Sequence, residues 1–296
     1  MYPAEFEYFA PHTGDEALQL LDRFGAEAKI LAGGQSLLPM MKLRSASPRY
    51  LIDINQIEGL STLHRDRDRL FMGALCRHAD VAASPVVREH LPILLDAATL
   101  TADVQVRNRG TVAGSIAHAD PAGDWPAALM AVDTNLVLTG LRGARNVPLN
   151  DFLVDAYTTL LEPGEIVTGV SVGIRPKPTG GAYVKFEKRA GDFAVASVGV
   201  QLDLDGERCT NVAVSLGALG SRAIRAPAAE QVLQGQAPTT DVLRDAQRLV
   251  REAAQPFEDT RGSVEYKRHL AGVLFGRAFA IALDRAHGRI VDTIHL

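Results

Sequence analysis

Cysteine is scarce: the 296 residues contain only Cys76 and Cys209, far apart along the chain. A pair so placed makes no metal-ligand motif and no disulfide framework. A self-contained iron–sulfur cluster, which takes four cysteine ligands, is excluded as well. Positive charge is not in excess, with 31 Lys and Arg against 35 Asp and Glu and a net charge of −4, so nothing in the balance steers the chain onto a nucleic acid. Long apolar runs are missing. The uncharged stretch Ile30–Met41 is twelve residues long and is interrupted by Gly33, Gly34 and Pro39, whereas a membrane span needs about 20 apolar residues. Met1 to Gly14 carries Glu5 and Glu7 but no Lys or Arg, the reverse of a secretory signal, and a cytoplasmic location is the expectation. What is present is an ordinary globular balance, 47% apolar and 22% charged, long enough for about two or three domains.

The opening residues read as strand–helix–strand, loop, strand. Thr13 with Glu16 three positions later is a capping-box pattern, and Ala17, Leu20, Leu21 and Phe24 then recur on one helical face before Gly25. Lys29–Leu31 and Tyr50–Ile54 are short apolar strands. Beyond them a strand is expected at Leu70–Leu75, helical segments broken at Pro85 and Pro92 within 80–102, and a short buried helix at Trp125–Val132. Alternating strands follow at Asn135–Thr139, Asn146–Leu149 and Glu165–Ile174. Residues 175–181 hold two prolines and two glycines and form the best boundary in the chain. Strands are expected at Ala182–Arg189, Ala194–Asp203 and Thr210–Leu219, the last two joined by an Asp205-Gly206 hairpin turn. The remainder reads as helical, ending in Ser263–Ala286 with Leu270, Leu274, Ala278 and Ile281 on one side. The class is α+β, with expected units at 1–57, 58–175 and 176–296.

Two small-residue loops carry the chemistry: Ile30-Leu31-Ala32-Gly33-Gly34-Gln35-Ser36-Leu37, and Arg109-Gly110-Thr111-Val112-Ala113-Gly114-Ser115. Without bulky side chains a backbone can approach an anion and turn its N–H groups inward, and Ser36, Thr111 and Ser115 add hydroxyls. Two such loops could hold the two phosphates of one dinucleotide from opposite sides. A lone Gly-Gly after a strand is usually only a tight turn. Neither matches the Rossmann fingerprint or the Walker loop, and the strand–helix alternation stops after residue 54, so a doubly wound nucleotide fold is disfavoured. His118, Asp120 and Asp124 lie close enough to suggest a metal site, but a turn at Asp120-Pro121 with Asp124 capping a helix at Trp125-Pro126 is favoured. No nucleophilic triad is readable, and no catalytic side chain is assigned.

Ala32-Gly-Gly-Gln-Ser-Leu-Leu-Pro39 and Gln105-Val-Arg-Asn-Arg-Gly-Thr-Val-Ala-Gly-Ser-Ile-Ala-His-Ala-Asp-Pro121 together resemble the FAD-binding medium subunit of the molybdenum hydroxylases, the family of carbon monoxide and xanthine dehydrogenases. Gly73-Ala74, Leu160–Glu165, Lys185–Arg189 with Gly191-Asp192, and Asp259–Leu270 extend the likeness along the whole chain. The resemblance implies a vanillyl-alcohol-oxidase-type FAD module of two α/β pieces, followed by an antiparallel sheet with a helical bundle. It implies FAD between the first two pieces, its pyrophosphate gripped by residues 32–37 and 111–115. By the same resemblance Asp124 contacts the flavin's sugar region, Ala102 approaches the adenosine half, Leu161 packs near the isoalloxazine and Lys185 lies near the ring. Phe193 stands where some relatives carry Tyr.

The function so implied is an electron-transfer subunit of a heteromeric molybdenum hydroxylase, passing electrons from molybdenum and two-iron two-sulfur clusters through FAD to an external acceptor. Two cysteines cannot ligate the clusters and 296 residues leave no room for a molybdopterin domain, so both are expected on partners, a large and a small subunit, in a dimer of heterotrimers. A stand-alone FAD-dependent oxidase or reductase on the same module is the alternative, and a scaffold whose glycine loops are only turns is the non-enzymatic one.

Overall fold

The computed structural model describes residues 2–292. A small parallel sheet comes first, ordered β1-β3-β2 from β1 (Glu7–Phe9), β2 (Ala28–Leu31) and β3 (Tyr50–Asp53). Helix α1 (Gly14–Phe24) joins β1 to β2. Thr13 caps it as expected: the hydroxyl accepts from Glu16 N while the Glu16 carboxylate accepts from Thr13 N. Its Ala17, Leu18 and Leu21 are buried in one core with Ile52 and Ile54, and Phe24 stacks on Tyr50 with ring centroids 3.9 Å apart. Gly25 ends the helix at a φ of 53°. After β2 the chain turns through the first glycine loop into α2 (Leu37–Leu43).

The second sheet is antiparallel, in the order β4-β5-β10-β6-β7, and uses β4 (Leu63–Asp66), β5 (Arg69–Gly73), β6 (Thr134–Gly140), β7 (Gly143–Pro148) and β10 (Ile166–Gly173). Between β5 and β6 lie six helices: α3 (His78–Ala83), α4 (Pro85–His90), α5 (Pro92–Leu100), α6 (Val104–Arg107), α7 (Val112–His118) and α8 (Asp124–Met130). Pro85 and Pro92 start α4 and α5 because a proline in the first turn lacks only an N–H that would have no helical partner. Leu70, Met72, Leu136, Leu138, Val170 and Val172 from the sheet meet Ile93, Leu94, Ala97, Trp125 and Leu129 from the helices in one core. A short α9 (Leu149–Phe152) and a small hairpin of β8 (Leu153–Asp155) and β9 (Thr158–Thr159) precede β10.

The third sheet is antiparallel, in the order β11-β12-β13-β14, from β11 (Thr179–Phe186), β12 (Ala196–Asp205), β13 (Arg208–Gly217) and β14 (Ile224–Arg225). Helices α10 (Pro227–Leu233), α11 (Thr240–Ala253) and α12 (Val264–Ala286) follow, and Leu270, Leu274, Ala278 and Ile281 of α12 are all buried against β11 and β12. A buried ion pair at the far end of α12 helps tie this layer to the middle one. Arg285 of α12 donates to both oxygens of Asp96 on α5, at 2.7 and 2.9 Å, and to Gly181 O at 2.7 Å.

Several expectations change. Residues 37–43 and 112–118 are helical, so the second glycine segment opens a helix instead of forming a free loop. The strand expected at Leu70–Leu75 ends at Gly73, where a side chain would meet the Leu60 backbone. The Pro/Gly segment stops short of residue 181, because β11 begins at Thr179. Gly180 is a strand residue at a close crossing: a Cβ there would lie 2.6 Å from Ala286 N on α12. Proline and glycine read alike as loop formers, yet glycine also serves where two backbones must touch. Residues 1 and 293–296, included in the outer units expected from the sequence, lie outside the described residues.

Candidate cofactor-binding site

The first loop leaves the C-terminal end of β2. Ile30 and Leu31 belong to the strand, opposite Ile52 and Asp53 of β3, and Leu31 is buried. Ala32, Gly33, Gly34, Gln35 and Ser36 then form the turn into α2, which Leu37 begins. Gly34 adopts a φ of 73°, a conformation that costs glycine little. Among the described residues, the amides of Gly33, Gly34, Gln35 and Ser36 donate to no protein acceptor. Four adjacent unpaired N–H groups suit an anion.

The second segment lies directly against the first. A Cβ on Gly33 would overlap Arg109 O and sit 2.7 Å from Gly110 Cα. The two segments are therefore on the same side of the molecule, in backbone contact. Thr111 caps α7: its hydroxyl accepts from Gly114 N at 3.0 Å, and a Cβ on Gly114 would come within 2.6 Å of that oxygen. The Val112 amide donates to Cys76 O and the Ser115 amide to Thr111 O, while Ala113 N is left without a protein partner. Val112 and Ala113 are buried, so they offer backbone and not side chains. This segment has fewer free amides than a run of small residues suggests, because the helix uses them.

A third cluster joins Ala102, Asp124 and Lys185. Lys185 has a fully buried side chain, not the solvated charge common on a strand. Its ammonium donates to Leu100 O at 2.7 Å and Asp192 O at 3.1 Å, and lies 3.2 Å from Asp124 Oδ1. It is also 2.8 Å from Glu187 Oε2, near enough to balance its charge though not aligned for a hydrogen bond. Asp124 does not cap α8; Gly123 occupies that position, and the Asp124 carboxylate instead accepts from Tyr183 OH at 2.8 Å. Burial pushes the Asp124 carboxyl above its ordinary value, against the opposing pull of the Lys185 ammonium and the Tyr183 hydrogen bond. Ala102 holds a positive φ of 44°, its carbonyl accepts from Arg107 Nη1 at 2.7 Å, and Gly191 packs against it. The turn expected at Asp120-Pro121 is present, with Asp120 Oδ1 accepting from Ala122 N.

Leu161 is half-buried against the middle core, and no described contact joins it to the loops. Phe193 is exposed, with the Arg261 guanidinium 6.0 Å from its ring. Sequence reasoning missed Asn55, Arg77, His78 and Tyr183. Only Tyr183 had a signal: strand alternation puts it on the same face as Lys185. His78 is buried under Gly110 and stacks on Trp125 at 5.5 Å, and burial, reinforced by Arg107 and Arg77, pushes its imidazole down to about 4.

Residues 4–173 match the family model described as the FAD binding domain in molybdopterin dehydrogenase, and residues 181–282 match the CO dehydrogenase flavoprotein C-terminal domain. The carbon monoxide dehydrogenase medium chain of Hydrogenophaga pseudoflava is 40% identical over 285 residues, 96% of this chain and 99% of that one. This chain is an FAD-binding medium subunit of the molybdenum hydroxylase family. The 6-hydroxypseudooxynicotine dehydrogenase complex subunit alpha of Paenarthrobacter nicotinovorans is 35% identical to the medium subunit over 97% of each chain. A solved carbon monoxide dehydrogenase from Hydrogenophaga pseudoflava superimposes on it with a TM-score of 0.94, covering 96% of this medium subunit and 99% of that chain at 42% identity. The mixed helix-and-sheet fold, the FAD module and the oxidoreductase class expected from the motifs are those of its family. Among the described residues of the medium subunit, no helix is long and apolar enough to cross a membrane.

Proposed function

We propose that the two adjoining glycine segments of this medium subunit hold the diphosphate of FAD, and that the chain relays electrons from partner subunits to an external acceptor. The observation that carries the reading is the backbone contact of Gly33 with Arg109 and Gly110, which sets the free amides of residues 33–36 beside the start of α7. The donor set fits an anion of that size. Gly33, Gly34, Gln35 and Ser36 would supply amide donors, and Ala113 N with the Ser36 and Ser115 hydroxyls would complete the grip. Charge-assisted bonds of this kind contribute about 1.5–3 kcal/mol each. When bound, the flavin supplies both two-electron and one-electron chemistry; the protein supplies position and electrostatics.

In this proposal Ala102 borders the adenosine half, and Asp124 with Lys185 forms the charged floor behind the cofactor's sugar and ring. Leu161 closes the apolar side. The units 1–57 and 58–175 serve as the two half-sites, and the sheet-and-helix unit 176–296 brings Lys185 to that floor. A large molybdopterin subunit and a small iron–sulfur subunit complete the complex as a dimer of heterotrimers. Its two thiols, Cys76 and Cys209, are both buried and free, which suits a reducing cytoplasm and leaves the clusters to another chain. No side chain here need act as acid or base on the organic substrate, which the partner chain selects.

The test is Gly33→Val in the complex purified through a tag on this chain. The branched side chain must displace the Arg109 carbonyl or its own loop, so flavin absorbance should be lost while the partner subunits still co-purify. Retention of the full flavin complement would refute the loop assignment.

A further inference from the structure

Arg77 and Asn55 connect the two glycine segments through a chain of hydrogen bonds. Arg77 lies on the segment after β5, and its backbone forms an isolated antiparallel bridge with Thr111. The neighbouring amides continue that pairing, His78 N donating to Gly110 O at 3.1 Å and Val112 N to Cys76 O at 3.1 Å. So anchored, the Arg77 guanidinium reaches both ways. One terminal nitrogen donates to Arg109 O, and the other donates to Asn55 Oδ1. Asn55 follows β3, and its side-chain amide donates onward to Ala32 O at 2.8 Å and to Asp53 Oδ1 at 2.6 Å. Tyr8 OH donates to the other Asp53 oxygen at 2.6 Å, so the first sheet fixes the far end.

The two carbonyls held this way, Ala32 and Arg109, immediately precede Gly33 and Gly110. A trans peptide unit is planar with its C=O and N–H opposed, so a fixed carbonyl fixes the direction of the next amide. Holding Ala32 O therefore turns Gly33 N–H away from Asn55, towards the free face of the loop. Holding Arg109 O, while Gly110 N donates to Val106 O at 2.7 Å, locks the peptide at the start of the second segment at both ends. One loop follows β2 of the first sheet and the other joins α6 to α7 of the middle layer, and a diphosphate has a fixed span. The backbones meet at Gly33 and Arg109, and a side-chain link that touches both loops holds them at that separation.

We infer that Arg77 and Asn55 are positioning residues that set the spacing of the two loops and aim the Gly33 amide, a role that rests on the reading of those loops as the diphosphate grip. Geometry is the working part of this device, since a planar guanidinium can serve two acceptors at once in a fixed fork, which an ammonium cannot reproduce. Arg77 is half-buried and close to Arg109; burial first, and then that like charge, push its guanidinium below its ordinary value.

The experiment measures the FAD dissociation constant of the tagged complex by flavin fluorescence for Arg77→Gln, Arg77→Lys, Asn55→Ala and the double variant Asn55→Ala/Arg77→Gln. Far-UV circular dichroism and the melting temperature of the flavin-free protein serve as folding readouts. We expect FAD affinity about tenfold weaker in Arg77→Gln, the loss of one charge-assisted link. Arg77→Lys should be nearly as weak, and the double variant no weaker than Arg77→Gln alone, because both changes cut the same chain. Wild-type affinity in Arg77→Lys would show that charge and not bridging matters, and would overturn the inference. Independent, multiplicative losses from the two sites would overturn it too. Should Arg77→Gln fail to fold, the milder Asn55→Ala decides, with unchanged affinity counting against the inference. Gly33→Val separates the two levels. Flavin lost there but kept in the Arg77 and Asn55 variants defeats only the positioning role, whereas flavin kept in Gly33→Val defeats the loop reading itself.

Discussion

Replacing Lys185 with Met keeps the length of the side chain and deletes its ammonium from a site where that side chain has no exposure at all. In the intact protein the ammonium faces the Asp124 and Glu187 carboxylates at 3.2 and 2.8 Å and receives the lone pairs of Leu100 O and Asp192 O. After the change both carboxylates lack their cation, and the two carbonyls lose a donor. Removing one partner of a buried ion pair costs about 3–5 kcal/mol, because the remaining charge stays out of water. With a shift of about 2–4 °C per kcal/mol for a domain of this size, melting should fall by of the order of 10 °C at pH 7. The sign of the pH dependence follows from Asp124. Burial already raises its folded-state value, and loss of the lysine raises it further. A carboxyl raised on folding takes up a proton more readily in the native state, so the penalty should shrink as pH falls from 8 towards 5. Adding Asp124→Asn to Lys185→Met removes one orphaned charge and should recover part of the loss. Differential scanning calorimetry of the purified complex reads all of this. A melting point within 2 °C of wild type for Lys185→Met, or a further drop on adding Asp124→Asn, would refute the account of this cluster as a buried charge balance.

Other outcomes follow from the same structure. His78 is held down at about 4 from an ordinary 6.5, so the unfolded chain binds its proton first and stability falls as pH drops from about 6.5 to about 4. The full effect is about 3 kcal/mol, and urea unfolding of His78→Gln across that range should show the acid-side slope reduced by this amount. Arg285→Met leaves Asp96 without its bidentate partner between α12 and α5, and should cost about 3–5 kcal/mol, read as earlier loss of the third sheet in hydrogen exchange.

Much of the fold was legible because its signals are local. Thr13 with Glu16 caps α1, Pro85 and Pro92 restart helices, and the hairpin turn expected at Asp205-Gly206 falls one residue on, at Gly206-Glu207 between β12 and β13, each through contacts within a few residues. Strand patterning located β5, β6, β7 and β10 of the second sheet and β11, β12 and β13 of the third for the same reason, whereas the short edge strands β4 and β14 went unread. Errors occurred where one residue type serves two purposes. Gly180 and Gly181 read as linker but lie inside β11, and Arg109–Ser115 read as a loop but its second half opens helix α7, whose cap consumes the Gly114 amide.

The sequence by itself determined which residues could approach an anion, which family the motifs resemble and, through its two cysteines, that iron–sulfur chemistry belongs to another chain. Only the tertiary structure decided that Gly33 abuts Arg109, that Arg77 and Asn55 span the two segments, and that Lys185 is buried between Asp124 and Glu187. The physical reason is distance along the chain. Propensity, capping and turn chemistry act over a few residues, whereas most of these contacts join loops, helices and strands far apart in the chain whose meeting depends on how the sheets and helices pack.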